Sequence, residues 1–155
     1  MAANKIFADK ARKECIAYLF DLYPRERKLI YKSFDQLQPS LTRTQQIIVL
    51  TLSMNGMLSM SELAARISTS NEQATRAVSQ LVDNGYIERK QNRYNRRVVN
   101  IQLTEQGESY VKKAKRACES AATEKFSMLS EEELQELSAA MESMSRLLDK
   151  VDPSN

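Results

Sequence analysis

From Ser70 to Asp83 the apolar and polar positions separate at helical spacing. Ala74, Ala77, Val78, Leu81 and Val82 fall on one side, and Glu72, Gln73, Arg76, Ser79, Gln80 and Asp83 on the other, which predicts a short amphipathic helix. Ser70 followed by Gln73 forms a capping box at its start, and Asn84-Gly85 supplies the stop. The period then changes. Val99, Ile101 and Leu103 alternate with polar residues as in a half-buried strand, and Tyr86-Ile87 predicts a short partner strand before it. The segment Glu88–Arg97 between them becomes the loop of a β-hairpin.

The same reading runs outward in both directions. Phe7, Ala11, Cys15, Tyr18 and Leu22 recur at intervals of three and four and predict a helix over residues 4–23. Pro24 either kinks that helix or opens a second one, on which Leu29 or Ile30, Phe34 and Leu37 continue an apolar face until Pro39. A new helix starts at Leu41, with Gln45, Ile48, Val49 and Leu52 inward, and runs out at Asn55-Gly56. Ser59 with Glu62 is a capping box opening a helix from Met60 to Ile67, and Ser68-Thr69 is the turn before Ser70. A helix-turn-helix over residues 59–84 follows. Downstream, Thr104-Glu-Gln-Gly107 begins a long helix with a stripe of Val111, Ala114, Cys118, Ala121 and Ala122. Ser130 with Glu133 opens the last helix, where Leu134, Leu137, Met141, Met144 and Leu148 step by three and four along a heptad seam that asks for a partner helix, in this chain or in a second copy.

Composition narrows the class. A chain of 155 residues with three Gly, three Pro, few aromatics and no Trp is the length of one mostly helical domain. The start, Met1-Ala-Ala-Asn-Lys5, lacks an apolar signal region, and no apolar run approaches a membrane span, so a cytoplasmic location is expected. Cys15 and Cys118 make neither a disulfide framework nor a zinc site, and no metal or cofactor is expected. With no histidine, no Gly-rich phosphate loop and no nucleophile motif, an enzyme is not the expected class.

Charge adds a direction. The net +3 divides into +4 over residues 39–104, −5 over residues 130–155, +3 over residues 1–38 and +1 over residues 105–129. The positive part therefore sits with the helix and hairpin, and Glu88–Arg97 holds five cations (Arg89, Lys90, Arg93, Arg96, Arg97) against one acid. A helix presenting Asn, Gln, Thr, Arg and Ser offers the groups that read base edges in a major groove, and an arginine-rich hairpin beside it can follow phosphates or enter a minor groove. The candidate contacts to double-stranded DNA are Ser70, Asn71, Gln73, Thr75, Arg76, Ser79, Gln80, Arg89, Asn95, Arg96 and Arg97.

These residues carry a resemblance. Leu41-Thr-Arg-Thr-Gln45, Ser61-Glu-Leu-Ala64, Ser70 through Arg76, Leu81 through Arg89, Asn95-Arg-Arg97 and Leu103-Thr-Glu-Gln-Gly107 together resemble the MarR family, the multiple-antibiotic-resistance regulators. The resemblance implies a homodimeric winged-helix transcription factor, usually a repressor, on a pseudo-palindromic operator. It places the recognition helix in the major groove and Arg97 at the position of the wing arginine that enters the minor groove. The family commonly has Asp two residues earlier. Asn95 stands there in this chain and can accept a hydrogen bond but cannot form the ion pair. The resemblance also implies release from DNA by a phenolic or other small lipophilic ligand. A subset of the family senses organic hydroperoxides through a cysteine in the first helix near tyrosines, which is the alternative role for Cys15 beside Tyr18, Tyr23 and Tyr31; the local order around Cys15 differs from that subset, and inert packing on an apolar face is the competing reading.

The expected architecture is a single domain over residues 1–155, mostly α with a small β-hairpin wing. Its winged helix-turn-helix covers residues 41–104, and helical dimerisation regions cover 1–38 and 105–155, with Leu134, Leu137, Met141, Met144 and Leu148 in the interface. A winged helix that binds protein and not DNA is the other alternative, and salt-dependent DNA affinity separates the two.

Overall fold

The computed structural model describes residues 2–35, 37, 40–91 and 99–151. The order is α1 (Ala2–Asp35), α2 (Arg43–Asn55), β1 (Leu58–Ser59), α3 (Met60–Arg66), α4 (Asn71–Asp83), β2 (Ile87–Gln91), β3 (Val99–Leu103), α5 (Glu105–Phe126) and α6 (Glu131–Val151). The strands form one antiparallel sheet in the order β1-β3-β2. This is a winged helix-turn-helix set between long helices, the expected fold class.

The core lies under the winged helix. Ile48, Val49 and Leu52 of α2, Leu63 of α3, Val78 and Leu81 of α4, Ile87 and Ile101 of the sheet, and Val111 of α5 are all buried together. Phe34 from the end of α1 joins them through Tyr110, which also meets Tyr86 edge-on at 5.3 Å between ring centres. The apolar back of α4 is as expected, with Ala74, Ala77, Val78 and Leu81 buried and Val82 half-buried. Gly56 and Gly85 take positive φ at the ends of α2 and α4, where a side chain would strain the turn.

Several boundaries differ from the sequence reading. Of the two alternatives at Pro24, a second helix is not formed: α1 runs through it as one helix. A proline inside a helix leaves the carbonyl four residues back without its donor. Here that is Phe20, which is 78% exposed, so water can take the bond. Helix α2 starts at Arg43, not Leu41, because Thr42 is its N-cap and makes a complete capping box with Gln45. Helix α3 ends at Arg66, one residue short of expectation. The first wing strand is Ile87–Gln91, not Tyr86-Ile87, so four residues assigned to the loop are paired. Glu88 holds them in place, accepting from Gln102 across the ladder at 2.6 Å and pairing with Lys90 at 3.0 Å. Strand β1, where Leu58 pairs with Ile101, has only two residues and shows no alternation to read.

The motif at the start of α5 acquires a physical meaning. Thr104 caps the helix by accepting from the Gly107 N–H, and its hydroxyl donates to the Gly85 carbonyl at 2.6 Å. Gln106 donates to the Asn84 carbonyl. A Cβ on Gly107 would collide with the Tyr86 carbonyl oxygen. Thr104, Gln106 and Gly107 thus pin α5 to the turn between α4 and the wing.

Outside this core the helices are bare. No residue of α6 is buried, and Leu134, Met141 and Leu148 are exposed while Leu137 and Met144 are half-buried. On α1, Ile16, Leu19, Phe20 and Tyr23 are exposed too, and with Met144 and Leu148 they line an apolar groove of about 410 Å³. The α1 side of that groove is Ile16-Leu19-Phe20-Tyr23, and of the stripe expected from spacing only Leu22 lines it.

Candidate nucleic-acid interface

Helix α4 presents a polar ridge because its opposite side is fully used by the core. Asn71, Gln73, Thr75, Arg76 and Gln80 are exposed and Ser79 is half-buried. Ser70 caps the helix, its Oγ accepting from the Gln73 N–H at 3.3 Å. The expected return bond from the Gln73 side chain is not made. Gln73 Oε1 accepts instead from Thr69 Oγ1 at 2.7 Å, a stronger partner one residue earlier. The Thr75 hydroxyl donates back to the Asn71 carbonyl at 2.7 Å, which spends its proton within the helix. Arg76 pairs with Glu72 one turn earlier at 2.9 Å. Both are well exposed, so the pair is weak and Arg76 can exchange Glu72 for another acceptor.

The wing is fastened to this ridge. Register pairs Ile87 with Leu103 and Gln91 with Val99, so Ile87 and Arg89 lie on the same face of the strand. Ile87 enters the core, and Arg89 reaches α4, where its guanidinium donates to Ser79 Oγ at 2.7 Å. On the other face Lys90 and Gln102 hold the Glu88 carboxyl below the usual carboxylate range. The hairpin stem therefore runs beside α4 before residues 92–98. Asn95, Arg96 and Arg97 lie outside the described residues.

Two features were not read from the sequence. Arg43 at the start of α2 lies over the Tyr31 ring at 4.7 Å and bonds Asp35 at 2.6 Å, joining the end of α1 to the helix-turn-helix. Its pairing holds the Asp35 carboxyl below its ordinary range. The second is Gln45, 6% exposed, which donates through Nε2 to Gln80 Oε1 of the polar ridge at 3.0 Å. Thr42-x-x-Gln45 is a capping signature that the sequence displays.

The site can now be set beside known proteins. The sequence model of the MarR family matches residues 41–99. Over those residues the chain is similar to the MarR family. That match runs from just before α2 to the first residue of β3, the segment that holds most of the core and the whole polar ridge. None of the curated proteins matches the chain. Among solved structures, YusO protein from Bacillus subtilis is 22% identical, with a TM-score of 0.64 over 90% of this chain and 97% of that one. Wild-type MarR from E. coli in its apo form is 19% identical, with a TM-score of 0.72 over 83% of this chain and 93% of its own. A mutant MarR from E. coli complexed with operator DNA is also 19% identical, with a TM-score of 0.61 over 83% and 91%. These likenesses show that the fold, flanking helices included, is shared with those proteins.

Around the winged helix the remaining sites are dispersed. Cys15 is exposed on α1, so it is not part of the core of a single chain. A cavity of about 410 Å³ lies between α2, β3 and α5, lined among others by Leu52, Met57, Leu103, Val111 and Lys112. A cleft of about 550 Å³ lies at the junction of α1 and α2, lined among others by Tyr23, Arg27, Tyr31 and Arg43. No helix of the described residues is long and apolar enough to cross a membrane.

Proposed function

We propose that the chain is a sequence-specific DNA-binding transcriptional regulator: a repressor that acts as a homodimer on a pseudo-palindromic operator and is released by a small lipophilic or phenolic ligand. The observation that carries this reading is the ridge of Asn71, Gln73, Thr75, Arg76 and Gln80 on α4, with the cationic hairpin fastened beside it through Arg89 and Ser79. In it α4 enters the major groove, where its side chains meet base edges, and Arg96 and Arg97 of the wing reach phosphates and the minor groove. The operator complex of a MarR from E. coli, on the same fold, is a precedent in another protein.

The homodimer is supported by the apolar residues that α1 and α6 leave outside any single-chain core. Leu134, Leu137, Met141, Met144 and Leu148 would bury against a second copy, and the two recognition helices would then stand about one DNA turn apart. Ligand release is supported by the size of the two clefts bordering α2, both within the range of small-molecule sites.

A mobility-shift titration against the DNA upstream of its own gene tests the reading. Retarded DNA that is lost as salt rises is the expected result. Absence of any shift at low salt would overturn it in favour of a winged helix that binds protein.

A further inference from the structure

The hydrogen bonds around Gln45 dictate which end of the Gln80 amide faces outward. The Thr42 backbone N–H can only donate, and it lies 2.9 Å from Gln45 Oε1. That bond assigns Gln45 its orientation, leaving Nε2 as the group directed at α4. Nε2 can only donate, so Gln80 must turn its Oε1 inward, 3.0 Å away. The exposed end of Gln80 is then its NH2 group, a pure donor. Gln45 is 6% exposed, so water does not compete freely for this chain of bonds.

An unrestrained glutamine in a groove uses oxygen and nitrogen together and suits adenine. A glutamine whose oxygen is turned inward to Gln45 directs only its NH2 group outward. We infer that Gln45, buried on α2, is a positioning residue that makes Gln80 a donor-only contact of the recognition helix, directed at a hydrogen-bond acceptor of the duplex. That acceptor is either a base edge, guanine N7 or O6 or thymine O4, or a phosphate oxygen. Gln80 stands on the same stripe of α4 as Gln73 and Arg76, at spacings of three and four. The inference rests on the DNA-binding reading above and specifies the polarity of one contact within it.

Gln45→Glu is the informative change. A glutamate can still accept from the Thr42 N–H, but its second oxygen accepts too, so Gln80 must turn its NH2 inward and its oxygen out. Gln80→Glu puts an acceptor outward directly. Each variant should bind operator about tenfold more weakly than the intact chain, the scale of one lost hydrogen bond per protomer. In a Gln80→Ala background, Gln45→Glu should weaken binding no further, because Gln45 acts only through Gln80. Thermal unfolding of the intact chain and all four variants separates binding from folding. A base acceptor would confine the loss to operators with guanine or thymine at one position per half-site; a phosphate acceptor would weaken operator and scrambled duplexes alike. Operator binding by Gln80→Glu within twofold of the intact chain would overturn the inference, as would an equal loss from Gln45→Glu with Gln80 present or absent. An intact chain that binds no duplex would instead fail the reading on which it rests.

Discussion

Arg76 is held by Glu72 alone among the described contacts of its side chain, and the pair is exposed on both sides. Such a pair contributes roughly 0–1 kcal/mol, less than the roughly 1–3 kcal/mol of discrimination that a bidentate arginine–guanine contact supplies. The balance favours transfer of Arg76 from Glu72 to a base on binding. Arg76→Ala should therefore relax sequence preference more than it weakens nonspecific binding. Isotherms on operator and scrambled duplexes check this, and an equal loss on both would place Arg76 on phosphate. Arg89 has a different task. Bonded to Ser79 at 2.7 Å, it fixes the wing stem against α4 and has less freedom to leave.

Among the elements, the start of α5 is where packing tolerates least. Gly107→Ala drives a methyl into the Tyr86 carbonyl, backbone that cannot swing aside, and should destabilise the chain by about 1–3 kcal/mol or more in chemical denaturation. The joint between α1 and α2 gives a pH dependence. Arg43 lowers the folded-state pKa of Asp35, so its contribution is present above the ordinary aspartate range and is lost as pH falls through the lowered value. Asp35→Asn should flatten the loss of stability on acidification below about pH 4, read from melting curves across that range. Elements with strong periodicity were legible beforehand: α4 with its buried back, the strand around Ile101, the long helix from Thr104, and the caps at Ser59 and Ser130. What escaped depends on partners distant in sequence. Gln45 and Gln80 are 35 positions apart, Arg43 and Asp35 meet across a turn, and β1 exists only because β3 is beside it. Pro24 left two alternatives open, and the single helix is possible because an exposed helix loses little when one carbonyl turns to water.

The whole molecule combines a well-packed winged helix with two helices, α1 and α6, that leave several apolar residues outside its core. A single chain that exposes Phe20, Leu134, Met141 and Leu148 at once would present apolar surface to water, and a second copy would relieve that cost. Removing residues 130–155 should abolish the dimer and weaken operator binding, because the spacing of two recognition helices is lost with it. Light scattering of the intact protein and the truncation reads the first effect. A stable monomer at micromolar concentration in the intact chain would contradict the account of α6. The most direct measurement of the central claim is a set of binding isotherms at several salt concentrations, on operator and scrambled DNA, for the intact chain and Arg97→Ala. The account predicts tighter binding to operator, affinity falling with salt by about 0.9 logarithmic units per phosphate contact, and a shallower slope with weaker binding in Arg97→Ala. Operator and scrambled DNA bound alike, with no salt dependence, would contradict it.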